Sequence, residues 1–172
     1  SCSYGTAKKL CEEFICSNAP SLDIDAIIFR LPPVLNQSYG SNVGKLIKLS
    51  KTGMPILSIA QGDCNQRSFI SFNNIQTVFM HLLKNIHLFK KVQIYNLSDD
   101  EFISSNQLVR ISGKSNVYSF PRVVGKALLS IPILKNILAK LYGNFVIDNS
   151  KLKEEMSVKL ETTAKSLPII YR

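Results

Sequence analysis

The sequence predicts an α/β domain in which short parallel strands alternate with amphipathic helices. Short apolar, β-branched runs occur where buried strands are expected, and segments with apolar residues at helical spacing follow them. The 172 residues suit one compact domain, or one large part of a domain, with a substantial core. Apolar residues make up 45% and charged residues 19%, which excludes collagen-like, coiled-coil and disordered chains.

The first part of the chain carries the clearest elements. Residues 4–17 have an apolar face at helical spacing and predict a helix. Residues 26–31 predict a buried strand, which Pro32-Pro33 ends because proline fixes φ and lacks an N–H. Residues 43–52 predict a helix with a face of lysines.

The rest of the chain continues the same alternation. Asn73 or Asn74 is the predicted cap of the helix after the third strand, and Ser98 or Asp99 is the predicted cap of a short helix after the fourth. In order, the predicted segments are strand 55–59, strand 68–72, helix 75–85, strand 91–97, a helix from Ser104 to Gly113, a mostly helical stretch 120–142, an extended piece 144–147, helix 149–156 and a turn at 162–167. No run of about 18 uncharged apolar residues occurs, so we expect no membrane-spanning helix.

The net charge is +9, and the excess of basic residues is concentrated after residue 120. No aromatic side chains are interleaved with the basic ones, which argues against a nucleic-acid partner. The basic character of residues 126–140 is explained by a helix that packs on the core with its lysines pointing outward. No membrane surface is needed to account for it. A basic protein that binds nucleic acid or anionic lipid through this helix stays open as an alternative, because its face mixes lysines with leucines and isoleucines.

The cysteines do not form a recognisable metal or disulfide pattern. They are Cys2, Cys11, Cys16 and Cys64, with no CxxC pair. Together with the two histidines they fit no zinc template. The expectation is therefore no metal site, and reduced thiols in a cytoplasmic protein.

The most informative motif is Tyr4-Gly-Thr-Ala-Lys8. Residues four apart on a helix share a face, so the Tyr4 phenol and the Lys8 ammonium are expected side by side. An ammonium beside a phenol stabilises the phenolate, which allows Tyr4 to act as a general acid or base. The same lysine can also hold a ribose hydroxyl. By itself the spacing is common, and an exposed tyrosine beside a solvated lysine is the better explanation of the isolated motif.

Four motifs in order give the chain a resemblance to the extended short-chain dehydrogenases/reductases, which are nucleotide-sugar epimerases, dehydratases and reductases. They are Tyr4 to Lys8 followed by Glu12 (family pattern Y-G-x-S-K…E), residues 29–34 (L-R-P-P-x-V-Y-G), residues 65–75 (R-x-F-V-x-V-D-D/N-L) and residues 141–152 (L-x-G-S-L-x-V-D-x-S-K-L). The chain departs from the patterns at Leu35-Asn36 and at Asn73, which replaces the more usual aspartate. The last motif suggests the bacterial polysaccharide branch of 4-epimerases and 4-keto-sugar reductases that act on UDP-sugars.

The resemblance implies a fold and a division of the chain. The fold is the C-terminal part of an NAD(P)-binding Rossmann-type domain with its small substrate-binding subdomain. Residues 1–36 would be the end of the Rossmann-like part, and residues 37–172 mainly the substrate-binding subdomain, with strand 91–97 rejoining the sheet.

The resemblance also implies roles for individual residues. Tyr4 would be the catalytic acid/base at the sugar C4, and Lys8 would bind the nicotinamide ribose and assist Tyr4. A loop at Leu31, Pro32, Pro33 and Val34 would border the nicotinamide, so that these residues, with Tyr4 and Lys8, form the cofactor contacts. Asn42 and Arg67 would bind the UDP-sugar, Arg67 through its diphosphate, since a guanidinium fork suits phosphate oxygens. Asn73 and Asp148 are expected to be helix caps instead.

One family feature does not occur among the 172 residues. They contain no GxxGxxG loop, which in the family lies far upstream of the tyrosine motif and receives the cofactor pyrophosphate. We therefore expect the complete enzyme to use NAD or NADP, and this chain alone neither to bind it tightly nor to turn over. The partners expected are a UDP-sugar, the N-terminal Rossmann half and, through the open edge of strand 26–31, further copies of the chain. A non-catalytic module that binds a nucleotide sugar or a protein is the alternative.

Overall fold

The structure is a computed structural model that describes residues 4–35, 42–58, 65–113, 116–119, 130–131 and 143–170. The helices are α1 (Tyr4–Asn18), α2 (Asn42–Lys51), α3 (Phe72–Asn85), α4 (Ser105–Ser112), α5 (Ser150–Met156) and α6 (Thr163–Ile170). The strands are β1 (Ala26–Arg30), β2 (Val34–Leu35), β3 (Ile56–Ser58), β4 (Ile70–Ser71), β5 (Val92–Asn96) and β6 (Val117–Ser119). This confirms the predicted α/β class. The predicted helical stretch 120–142 lies outside the described residues, apart from 130 and 131, which are not helical.

The longest strand pair is parallel and joins β1 to β5, from Ala26 opposite Val92 to Arg30 opposite Asn96. Side chains alternate between the two faces of a strand. Ile27 and Phe29 therefore point to one face, where they pack against a core around Tyr95, and the Phe29 and Phe79 rings lie 5.7 Å apart. Ile28 and Arg30 point to the opposite face, towards α1. The division of the chain at residue 36 stays a prediction.

Two shorter parallel pairs complete the described strands. In the first, β2 pairs with β4, and in the second β3 pairs with β6. The prediction that Leu31–Val34 is all loop is therefore wrong at its end, because Val34 begins a strand opposite Ile70. The predicted strand 68–72 is likewise shortened to Ile70–Ser71, since Phe72 already belongs to α3.

The apolar core has two clusters, one on each side of the β2–β4 pair. The first gathers residues of β2, α2, α4 and α6 with the residue before β4, namely Leu35, Ile47, Phe69, Leu108, Val109 and Leu167. The second gathers residues of β4, α3, α5 and β5 with the residue after β5, namely Ile70, Val78, Tyr95, Leu97, Leu152 and Met156. None of the helices in the described part of the chain combines the length and the apolar character that a membrane crossing needs.

A buried carboxylate joins the two clusters. Asp99 is 3% exposed, and its Oδ1 accepts hydrogen bonds from the Ser71 N–H at 2.8 Å and from Asn74 Nδ2 at 2.7 Å. Its Oδ2 accepts from Thr163 Oγ1 at 2.8 Å, and Asn149 Nδ2 donates to the backbone carbonyl of Ser98 beside it. The prediction that Ser98 or Asp99 caps a short helix is wrong, because this carboxylate is engaged with distant partners and residues 98–101 form no helix.

The helix starts use short polar side chains, although not always the predicted ones. Ser71 caps α3 by accepting from the Asn74 N–H, so the predicted caps Asn73 and Asn74 lie inside the first turn. The predicted start of α4 is confirmed by a capping box in which Ser104 and Gln107 satisfy each other's N–H. The N-cap of α5 is Asn149, so the predicted cap Asp148 lies one residue outside it, where its Oδ1 accepts from the Ser150 N–H and hydroxyl.

Candidate active-site cleft

The first turns of α1 present the tyrosine and the lysine side by side. Lys8 Nζ lies 5.7 Å from the centre of the Tyr4 ring, and Tyr4 is 81% exposed. The arrangement follows from the four-residue spacing on a helix, which the sequence predicts. The phenol hydroxyl is thus accessible to a ligand while a cation lies beside its ring.

Tyr4 and Lys8 line a cleft of about 490 Å³ between α1 and the carboxyl end of β1. Cys11 and Glu12 continue the α1 wall, and the opposite wall comes from Ile28 to Leu31. The structure therefore brings three of the predicted site residues together, namely Tyr4, Lys8 and Leu31. An apolar wall at Ile28 facing a hydroxyl and an ammonium suits a nucleoside, which has both a flat apolar ring and ribose hydroxyls.

The other predicted cofactor contacts lie beyond the cleft. Pro32 is buried and Pro33 half-buried, and the carbonyl of Pro33 accepts from the Ile70 N–H at 3.3 Å. Val34 is exposed at the start of β2. These residues link the cleft to the β2–β4 pair but do not line it.

An ion pair that sequence analysis missed joins the two walls of the cleft. Arg30 Nε donates to Glu12 Oε2 at 3.0 Å, and Arg30 Nη2 donates to Glu12 Oε1. The hydrogen bond from Arg30, helped by its charge, lowers the pKa of Glu12, and the pKa of Arg30 is raised in return. Both residues belong to quoted family motifs, but their separation of 18 positions gave no local sign of contact.

Arg67 is the second notable cation, and it is buried. It is 7% exposed, because residues 65–68 run between Ile103 and Phe145, with which Arg67 forms backbone bridges. Its Nη1 donates to the Gly143 carbonyl at 2.7 Å, and its guanidinium carbon lies 6.0 Å from the Phe145 ring centre. Within the described residues its buried Nε has no hydrogen-bond partner. Burial lowers the pKa of Arg67. A desolvated guanidinium with an unused donor favours an anion as its partner.

Asn42 is the first residue of α2 and is exposed. Neither Asn42 nor Arg67 lines the cleft of Tyr4 and Lys8. The segment that precedes Asn42 lies outside the described residues, so the structure does not test whether these two residues meet one ligand. No group of three or more His, Cys, Asp or Glu side chains suited to a metal ion occurs among the described residues.

Comparisons with known proteins give matches in structure alone. No protein-family profile matches the chain, and no curated protein matches it in sequence. Among solved structures, UDP-N-acetylglucosamine 4-epimerase from Bacillus cereus matches 98% of this chain and 53% of its own, with a TM-score of 0.70 and 13% identity. UDP-glucose 4-epimerase from Thermotoga maritima, solved with UDP-glucose, matches 98% and 52%, with a TM-score of 0.64 and 16% identity. dTDP-glucose 4,6-dehydratase from Bacillus anthracis, solved in complex with NAD, matches 98% and 51%, with a TM-score of 0.64 and 12% identity.

These matches define the class of fold. The chain has the mixed α/β fold with parallel strands that these nucleotide-sugar epimerases and dehydratases share, and it spans about half of their length. Since the identities are between 12% and 16%, the likeness establishes the fold alone. Any chemistry has to be inferred from the side chains of this chain.

Proposed function

We propose that the chain is the substrate-side portion of an extended short-chain dehydrogenase/reductase that acts at C4 of a UDP-sugar by NAD- or NADP-dependent hydride transfer. One observation carries the proposal. Tyr4, Lys8 and the residue that follows β1 meet at a single cleft, in a fold shared with UDP-sugar 4-epimerases.

Tyr4 is the proposed acid/base. As the phenolate, its exposed oxygen can take the proton of the sugar 4-hydroxyl, and the O–H electrons then form the C4 carbonyl as hydride leaves C4. NAD or NADP, when bound, accepts that hydride. Lys8 stabilises the phenolate of Tyr4 and can hold a ribose hydroxyl. In the reductive direction Tyr4 returns the proton to the oxygen. An epimerase uses both directions, and a reductase uses the second.

Arg67 and Asn42 are the proposed contacts of the UDP-sugar. The unused Nε of Arg67 and its desolvated position support a diphosphate partner, because charge-assisted hydrogen bonds are strongest where water is excluded. Asn42 has an exposed side chain at the first turn of α2, a position that is compatible with an anion. Leu31 in the cleft, with Pro32, Pro33 and Val34 beyond it, would border the nicotinamide.

The complete enzyme is proposed to need a Rossmann-type N-terminal half. The chain spans only about half the length of each solved structure that it matches, and α1 has no buried residue, with Leu10 and Phe14 exposed. A second layer of protein over α1 and β1 would cover that apolar surface. Without it, we expect the chain to self-associate and to be inactive. We place the complete protein in the cytoplasm and in the synthesis of a bacterial surface polysaccharide.

The test is the substitution Tyr4→Phe in the complete protein. It should reduce turnover of the UDP-sugar by about 100-fold or more, because positioned acid/base catalysis contributes about that much. Binding of the UDP-sugar should stay within about twofold, since the phenol acts on the reacting proton. Tyr118→Phe is the matched control, because Tyr118 is also exposed but lies on β6. Unchanged turnover in Tyr4→Phe would falsify the acid/base role.

The alternative is a non-catalytic module that binds a nucleotide sugar, and the buried, partly unpaired Arg67 is compatible with it. The same protein discriminates between the two. Binding of a UDP-sugar that Arg67→Lys weakens, with no turnover in the unsubstituted protein, would favour the binding module.

A further inference from the structure

Within the described residues, α1 makes little apolar contact with the rest of the chain. None of its residues is buried, and Phe14 is 69% exposed. The described core therefore does not by itself fix the rotation of a helix whose apolar side chains it leaves uncovered. Something other than the described core must therefore fix the direction in which Tyr4 and Lys8 point.

Glu12 is placed to do this. It follows Lys8 by four residues and Tyr4 by eight, so all three lie on one face of α1. Its partner Arg30 is the last residue of β1 and directly precedes Leu31, the opposite wall of the cleft. The ion pair thus joins the helix that carries the acid/base to the strand end that borders the cofactor position.

The contact between Arg30 and Glu12 restrains the relative orientation of the two side chains as well as their separation. Two separate nitrogens of Arg30, Nε and Nη2, donate to the two oxygens of Glu12. A planar guanidinium bound through two parallel hydrogen bonds fixes the carboxylate in orientation as well as in separation. A single-point contact, such as a lysine would give, leaves the helix able to turn about it.

We propose that the Glu12–Arg30 pair is the positioning element of this site, which sets the rotation of α1 and thereby aims Tyr4 and Lys8 at the carboxyl end of β1. Its catalytic consequence rests on the proposed function. Glu12 and Arg30 act through Tyr4 and Lys8 and are positioning residues. The pair stays ionised at neutral pH, because the pKa of Glu12 is lowered and that of Arg30 raised.

The test uses the complete protein with Arg30→Lys, which keeps the charge but removes the fork, and Glu12→Gln, which keeps the shape but removes the charge. The matched control is Glu13→Gln, because Glu13 forms an ion pair with Lys9 on the same helix at 3.6 Å without reaching β1. Both pair variants should lower kcat by about 10- to 100-fold with KM within about twofold, since small misplacements of a reacting group have effects of this size. Glu13→Gln should match the parent protein.

A charge swap separates positioning from a general loss of folding. The double variant Glu12→Arg with Arg30→Glu restores an ion pair with the two charges exchanged. Its log kcat should recover at least about a third of the decrease seen in the single variants. If the swap is no better than the single variants while Glu13→Gln is normal, specific pairing is not the cause of the loss and the proposal is wrong.

Amide hydrogen exchange supplies a readout that does not depend on activity. Arg30→Lys and Glu12→Gln should speed exchange at the hydrogen-bonded amides of α1, residues 8–18, at least about fivefold, and Glu13→Gln should not. Exchange equal to that of the parent protein overturns the positioning claim. Faster exchange with unchanged kcat, in a protein that Tyr4→Phe inactivates, also overturns it. If Tyr4→Phe keeps turnover, the proposed function fails, and the exchange data alone decide whether the pair fixes α1.

Discussion

The α1–β1 cleft and the polar centre at Asp99 use charged groups in opposite ways. In the cleft, Glu12 and Arg30 pair near the surface, and the tyrosine and lysine beside them are open to ligands. At the centre, Asp99 is buried and accepts from Ser71, Asn74 and Thr163. The cleft keeps its functional groups available to ligands, while the Asp99 carboxylate accepts a hydrogen bond from each of these three residues.

This difference indicates which of the two regions contributes more to the free energy of unfolding. Asp99 connects β4, α3 and α6, so its loss affects three elements at once. The ion pair connects only α1 and β1, and it is screened by water. We therefore expect changes at the centre to alter the free energy of unfolding, and changes in the cleft to alter function instead.

The largest expected effect on stability is that of Asp99→Ala. It should lower the free energy of unfolding by roughly 3 kcal/mol, because a buried donor left without an acceptor costs about 1–3 kcal/mol and at least the Ser71 N–H is stranded. Chemical denaturation measures this. The neighbouring Asp100→Ala is the control, since Asp100 pairs with Lys153 at the surface and should cost less than about 1 kcal/mol. Equal losses at both positions would remove the contrast between buried and exposed carboxylates.

A pair of glycines gives the next effect. A Cβ on Gly113 would lie 2.3 Å from the carbonyl oxygen of Ser50, so Gly113→Ala should cost roughly 1–3 kcal/mol through overpacking between α2 and α4. Gly5 on α1 has nothing within 4 Å, so Gly5→Ala should be neutral or stabilise by up to about 1 kcal/mol through helix propensity. Thermal unfolding of the two variants compares them directly. A destabilising Gly5→Ala would show that α1 is covered more closely than the described residues indicate.

The smallest expected effect is in the pH dependence of stability, and its sign differs between the two regions. Burial raises the pKa of Asp99, so the folded state holds that proton more tightly, and the parent protein should gain stability relative to Asp99→Asn as pH falls. Arg30 lowers the pKa of Glu12, so the advantage of the parent over Glu12→Gln should be present at neutral pH and shrink as pH falls through the acid range. That advantage should not exceed about 1 kcal/mol. Parallel pH profiles for the two variants would contradict this assignment.

Local patterns predicted much of the fold. The strand 26–31, the helix 43–52 and the helix that ends at Gly113 agree with β1, α2 and α4 to within one or two residues, because periodicity, proline and glycine act over short distances. The start of α3 was placed too late, since a two-residue strand runs directly into the helix and Ser71 serves both.

Contacts between distant residues were not predictable in this way. Asp99 meets Asn74 and Thr163 from 25 and 64 positions away, and no pattern in a single sequence marks such partners. The same holds for Glu12 and Arg30, 18 positions apart. The spacing of Tyr4 and Lys8 did predict their proximity, because it depends on one turn of helix.

The central claim is that Tyr4 exchanges the proton of a sugar C4 hydroxyl as hydride leaves that carbon. The most direct measurement gives the complete protein, with NAD or NADP, UDP-sugars that carry hydrogen or deuterium at C4, and follows by NMR the conversion of each sugar to its 4-epimer or 4-keto form, because an epimerase returns the hydride and leaves no net reduced nicotinamide. We expect slower conversion of the deuterated sugar than of the ordinary one, and loss of the conversion in Tyr4→Phe but not in Tyr118→Phe. Conversion that proceeds equally in Tyr4→Phe, or no conversion by the unsubstituted protein of UDP-sugars that it binds, would contradict the account.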